Sequence, residues 1–118
     1  MKAKVIRIRT KVSRMEIDEV ETDQGGGIPL ETLQDAVGGL VQRVGVMRPG
    51  CESIDVWIND EGKSSGLPLN ILATWLSRLW VYGDFIVGDV LVCASDGNGN
   101  SVGLTDAQVS MLTGLVVK

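Results

Sequence analysis

Residues 5–12 alternate. Ile6, Ile8, Thr10 and Val12 fall on one side, and Arg7, Arg9 and Lys11 on the other. A period of two is that of a strand with one face against a core and one in water. Residues 15–20 repeat the pattern, with Met15 and Ile17 inward and Glu16 and Asp18 outward. A short turn near Ser13 makes the two an antiparallel pair, a charged hairpin over residues 1–24. Further on, Ile54, Val56 and Ile58 alternate with Asp55, Trp57 and Asn59. The apolar run 90–94 reads as a buried strand, and 40–46 and 101–104 as further short ones. Asp96-Gly97 and Asn98-Gly99 supply the hairpin turn between the last two.

Helices announce themselves by spacing and by their ends. Gly25-Gly26-Gly27 is a flexible connection, and Pro29 then opens a helix, where its missing N–H costs nothing. Leu30, Leu33, Ala36 and Val37 form its apolar face, and Gly38-Gly39 ends it. Asn70 is a good N-cap for a helix running to about Trp80, with Leu72, Trp75, Leu76 and Leu79 as its stripe. Thr105 with Gln108 forms a capping box for a short C-terminal helix that turns Val109 and Leu112 inward. The expected fold is α+β. It is a single domain over residues 1–118, with an antiparallel or mixed sheet of five to seven short strands, two longer helices and a short final one.

Length and composition agree with one domain: 118 residues, of which 44% are hydrophobic. Apolar runs such as 90–94 are far too short to span a bilayer. Met1-Lys2-Ala3-Lys4 leads straight into the first strand without the apolar stretch of a secretory signal. The expectation is a cytoplasmic protein with no membrane contact. The net charge is −4, but its distribution is uneven. Residues 1–14 hold six of the eleven basic residues and no acidic one; residues 15–35 hold seven of the fifteen acidic residues and no basic one. Opposite charges facing each other across the first hairpin account for this segregation, so nucleic acid is not an expected partner.

Chemistry is scarce. The chain has no histidine, which removes the commonest general base and metal ligand. Cys51 and Cys93 are too few for a structural zinc site, and both are expected to remain free thiols. The segment 96–107 begins like a calcium loop but has Ser101 and Ala107 where Gly and Glu are needed. Neither a metal nor a cofactor is expected.

The ordered set Leu33-Gln34, Val37-Gly38-Gly39, Trp57-Ile58-Asn59-Asp60-Glu61-Gly62-Lys63, Gly66-Leu67-Pro68-Leu69-Asn70, Ala73-Thr74 and Asp84, Ile86, Gly88-Asp89 is distinctive. Over residues 28–112 it resembles the domain-of-unknown-function family 3846, small proteins of bacteria, especially actinobacteria, and of their phages. The resemblance implies a phage or actinobacterial cytoplasmic protein and brings no activity with it.

The richest polar cluster is Asn59, Asp60, Glu61, Lys63 and Asn70. Adjacent residues in a tight turn point apart and face water, so architecture is the first reading of this segment, with Asn70 as cap and Gly62 as a positive-φ turn residue. A binding loop is the second. Trp57 lies on the polar side of its strand; either a helix covers that face, or Trp57 is an exposed anchor with Trp80 beside it. The candidate binding residues are therefore Trp57, Asn59, Asp60, Glu61, Lys63, Asn70 and Trp80, with no catalytic residue among them. The leading expectation is a non-enzymatic interaction protein, phage-encoded, with a protein partner. The alternative is a small-ligand binder, for a nucleotide among others, using residues 59–70. A homo-oligomer is compatible with either.

Overall fold

A computed structural model describes residues 1–12 and 14–115; the turn expected at Ser13 lies outside them. In chain order the elements are β1 (Lys2–Ile8), β2 (Met15–Glu21), α1 (Leu30–Val37), β3 (Val41–Gly45), β4 (Ile54–Asn59), α2 (Ile71–Ser77), a 3-10 turn (Leu79–Tyr82), β5 (Val90–Ser95), β6 (Ser101–Val102) and α3 (Asp106–Gly114). The strands form one antiparallel sheet in the order β2-β1-β5-β4-β3, with β6 beside β5. The fold is α+β, as the periodicities imply.

Both faces of the sheet are covered. On one, Ile6, Ile8, Ile54, Val56 and Val92 pack with Ala73 and Leu76 of α2, Ile86, and Val109 and Leu112 of α3. On the other, Ala3, Val5, Val20, Leu91 and Cys93 pack with Ile28 and with Leu33 of α1. Burial of this kind is the main favourable contribution to folding.

Several boundaries move. β1 begins at Lys2 and ends at Ile8, whereas the alternation extended to Val12. Ala3 and Val5 are buried because the second face is also covered. Beyond Ile8 the chain turns, with Val12 N–H on the Arg9 carbonyl and Thr10 N–H on the Asp89 carboxylate at 3.0 Å. Ile17, expected inward, is 56% exposed because β2 is an edge strand beyond the reach of the helices. Leu30 is likewise exposed at the start of α1. The triple glycine is a tight turn, its Gly25 and Gly27 N–H groups held by the Asp23 carboxylate. The final helix, with its capping box in place, spans nine residues against seven for α2, so it is not the short one.

The helix from Asn70 is cut off early by a tertiary contact. Arg48 donates to the Trp75 and Leu76 carbonyls at 2.8 Å each, and Met47 N–H donates to Ser77 O. These donors satisfy the terminal carbonyls that a longer helix would have used. Arg78 then turns left-handed (φ 63°), and the chain continues as a 3-10 turn.

Candidate functional site

The segment after β4 is built by local chemistry. Asn59 accepts from Glu61 N–H at 2.8 Å and donates to the Val37 carbonyl at 3.2 Å, tying the turn to the C-terminus of α1. Asn70 is buried, and its amide is fully used. The side-chain oxygen accepts from Ala73 N–H, and the nitrogen donates to the Ile8 and Gly88 carbonyls. Gly62 is not at positive φ. It is glycine because an added Cβ would lie 2.9 Å from Val87 Cγ2 and 3.3 Å from the Asn59 carbonyl.

Lys63 reaches Asp84 at 2.5 Å and lies over the Phe85 ring at 4.4 Å. The Lys63 hydrogen bond, helped by Phe85 N–H, holds the Asp84 carboxyl below its usual range. Asp60 and Glu61 face solvent. Asn59, Asp60 and Lys63 do line a pocket, together with Val44, Leu79 and Phe85, but its volume is about 140 Å³ and Asn70 is not on its wall. Sites for drug-sized ligands run to roughly 300–1,000 Å³, so this pocket is smaller than such sites.

Trp57 lies on the α1 side of the sheet, half-buried against the cluster of Leu33, Leu91 and Cys93. Its buried indole N–H finds no nitrogen or oxygen acceptor and has the Cys93 thiol beside it. A helix covers this face, which answers the choice posed by the sequence. Trp80 is on the opposite side of the sheet with α2, so the two tryptophans do not share a surface.

What surrounds Trp80 was not foreseen. Leu69, Ile71, Trp75, Trp80 and Phe85 line an open groove of about 440 Å³. Ile71 is 72% exposed and Trp80 54%, and Val81, Tyr82 and Phe85 continue the patch. Trp75, assigned to the core by its spacing, instead faces the groove and carries the Arg48 guanidinium 4.4 Å from its ring centre. Of the groove's polar side chains, Thr74 Oγ1 donates to the Asn70 carbonyl at 2.8 Å, and Asp84 Oδ1 is paired with Lys63. A signal did exist in the sequence: Trp75, Trp80, Tyr82 and Phe85, four of the chain's five aromatic residues, lie within residues 75–85.

Fold and surface together define a small antiparallel α+β protein that displays an aromatic groove and in whose polar cluster Asn59, Lys63 and Asn70 are held by internal hydrogen bonds while Asp60 and Glu61 face solvent. The chain belongs to the family described as a domain of unknown function (DUF3846), whose model matches residues 1–116. The match extends beyond the 28–112 region and takes in the charged hairpin, which is therefore part of the family's domain. No significant match was found among the curated proteins or the solved structures. No helix among the described residues is long and apolar enough to cross a membrane.

Proposed function

We propose that this is a non-enzymatic interaction protein of the cytoplasm, encoded by a phage or its actinobacterial host, and that it seats an apolar segment of a protein partner in the Leu69–Phe85 groove. The observation that carries the reading is the concentration of four of five aromatic residues on one exposed patch above a core that is almost wholly aliphatic. Exposing so much aromatic surface works against the free chain's solubility. Trp and Tyr are also the side chains that most often dominate binding energy at protein interfaces. An open groove lined mainly by apolar and aromatic side chains suits apolar side chains better than a polar metabolite, and the 140 Å³ of the neighbouring pocket favours this reading over the nucleotide alternative.

The test uses Ile71→Asp and Trp80→Ser, both at exposed positions. Thermal melts should stay within about 0.5 kcal/mol of the parent. A partner captured by the parent chain is purified, and its binding to each variant is measured by calorimetry. Weakening by about ten- to a hundredfold is expected at a hot spot of this kind. Undiminished binding to both variants would remove the groove from the mechanism.

A further inference from the structure

The sheet has two edges, and their backbone groups can be assigned from the register. In an antiparallel pair, opposite residues alternate between hydrogen-bonded and non-bonded. Asp60 N–H donates to the Leu40 carbonyl at 2.8 Å, continuing the register in which Val41 faces Asn59. Leu40, Gln42 and Val44 therefore turn their backbone groups toward β4. The other side of β4 agrees: Ser95 N–H donates to the Ser53 carbonyl at 2.8 Å, continuing the β4–β5 register. Val41, Arg43 and Gly45 thus direct their N–H and C=O groups outward. At the far edge, Thr22 N–H on the Met1 carbonyl extends the β1–β2 register, which leaves Ile17, Glu19 and Glu21 outward on β2.

The two edges differ in how they are guarded. Charged side chains on an edge strand discourage pairing with another chain. β2 carries Glu16, Asp18, Glu19 and Glu21. β3 carries a single charge, Arg43, whose guanidinium is turned onto the buried Asp55 at 3.1 Å. No hydrogen bond among the described residues reaches the outward groups of β3; the first on that side is Met47 N–H on Ser77 O, past the strand's end.

We propose that the outward edge of β3 is a self-association seam, through which two copies of the chain pair antiparallel about a twofold axis. A strand pairing with its own copy is a closed, isologous contact, so it gives a dimer and not a fibre. Register follows from charge. Arg43 opposite the Arg43 of the second copy would bring two guanidinium groups together. Of the two neighbouring registers, one sets Arg43 opposite Val41 and the polar Gln42 opposite its own mate; the other, preferred for its apolar contact, sets Arg43 opposite Gly45, which has no side chain, and Val44 opposite its own mate. Val44 lies on the wall of the 140 Å³ pocket with Leu79 and Phe85, so the second Val44 adds apolar contact where the edge is apolar. This inference goes beyond the docking reading and does not depend on it.

The experiment is sedimentation velocity on the full chain from about 1 to about 200 μM, a range that brackets a weak to moderate dimer. The mass should rise from 12.6 kDa toward twice that value. Gly45→Lys adds a charge to the edge at a position where a Cβ meets nothing within 4 Å, and it should raise the dimer dissociation constant at least about tenfold. Circular dichroism checks that the variant folds. Amide exchange at Arg43 and Gly45 should slow with concentration while that at Ile17, Glu19 and Glu21 stays fast. A parent chain that remains at 12.6 kDa throughout overturns the proposal. So does a dimer that withstands Gly45→Lys, whether or not Ile71→Asp dissolves it.

Discussion

A single buried amide, that of Asn70, joins three segments: the start of α2, the end of β1 at Ile8 and the loop at Gly88. A helix cap alone is worth about 1 kcal/mol. Here removal also leaves the buried Gly88 carbonyl without its donor, at roughly 1–3 kcal/mol, while the Ile8 carbonyl keeps Val90 N–H across the β1–β5 ladder. Asn70→Ala should therefore lose about 2–4 kcal/mol in denaturant unfolding; a loss of only the cap's share would show that water replaces the amide. Asn70→Asp keeps the acceptor but turns a carboxylate toward two carbonyls. The new carboxyl would have a raised folded pKa, so its penalty should be absent below the unfolded value near 4 and grow as pH rises. Gly62 makes a different point. Its Cβ would meet Val87 Cγ2 at 2.9 Å, so Gly62→Ala should cost roughly 1–3 kcal/mol by overpacking. Adding Val87→Ala should give a double variant less damaged than the sum of the two, by at least about 0.5 kcal/mol. Strict additivity would move the cause from the contact to the backbone.

At the scale of the element, the N-terminal hairpin is where the charge pattern becomes structure. Lys2 meets Glu21 at 3.1 Å, Arg7 meets Asp18 at 2.8 Å, and Arg9 pairs with Glu16. Lys4 departs from the strand pairing and reaches Asp106 in the first turn of α3 at 2.6 Å. Exposed pairs like these contribute little each to stability, but they neutralise the basic run at close range. The hairpin should not bind duplex DNA at physiological salt in a mobility-shift assay. Salt-sensitive binding that weakens with Arg7→Ala plus Arg9→Ala would contradict this.

For the molecule as a whole, the sheet separates two cores, and each holds one cysteine: Cys51 with the α2 and α3 side, Cys93 with the α1 side. Both are buried and free. Burial pushes the Cys93 thiol up to about 11 and raises that of Cys51 as well. A disulfide between them would have to pass through the sheet. Alkylation at neutral pH should therefore be slow on the native protein at both positions and should recover two thiols after denaturation. Recovery of none would mean the two cores do not lie on opposite faces. Fast native labelling of Cys93 would show that the α1 layer opens readily.

The sequence by itself determined the features whose physics is local. The alternation in 54–59, the apolar run at β5, Pro29 and Gly38 around α1, Asn70 as cap and Thr105 with Gln108 as capping box all stand where short-range periodicity and capping put them. The family, too, was legible in the ordered motifs of the centre and C-terminal half. Periodicity says that a residue points to one side; it does not say what lies there. That is why the alternation left open what lies over Trp57 and gave no sign that α1 and Ile28 cover Val5, and why Trp75 was given to a core it only borders. The end of α2 was decided by Arg48, a residue far away in the chain, and the need for glycine at position 62 by Val87. The aromatic groove and the unguarded edge of β3 belong to the same class. Each arises from which elements are neighbours and which are not, and that is set only when non-local contacts close.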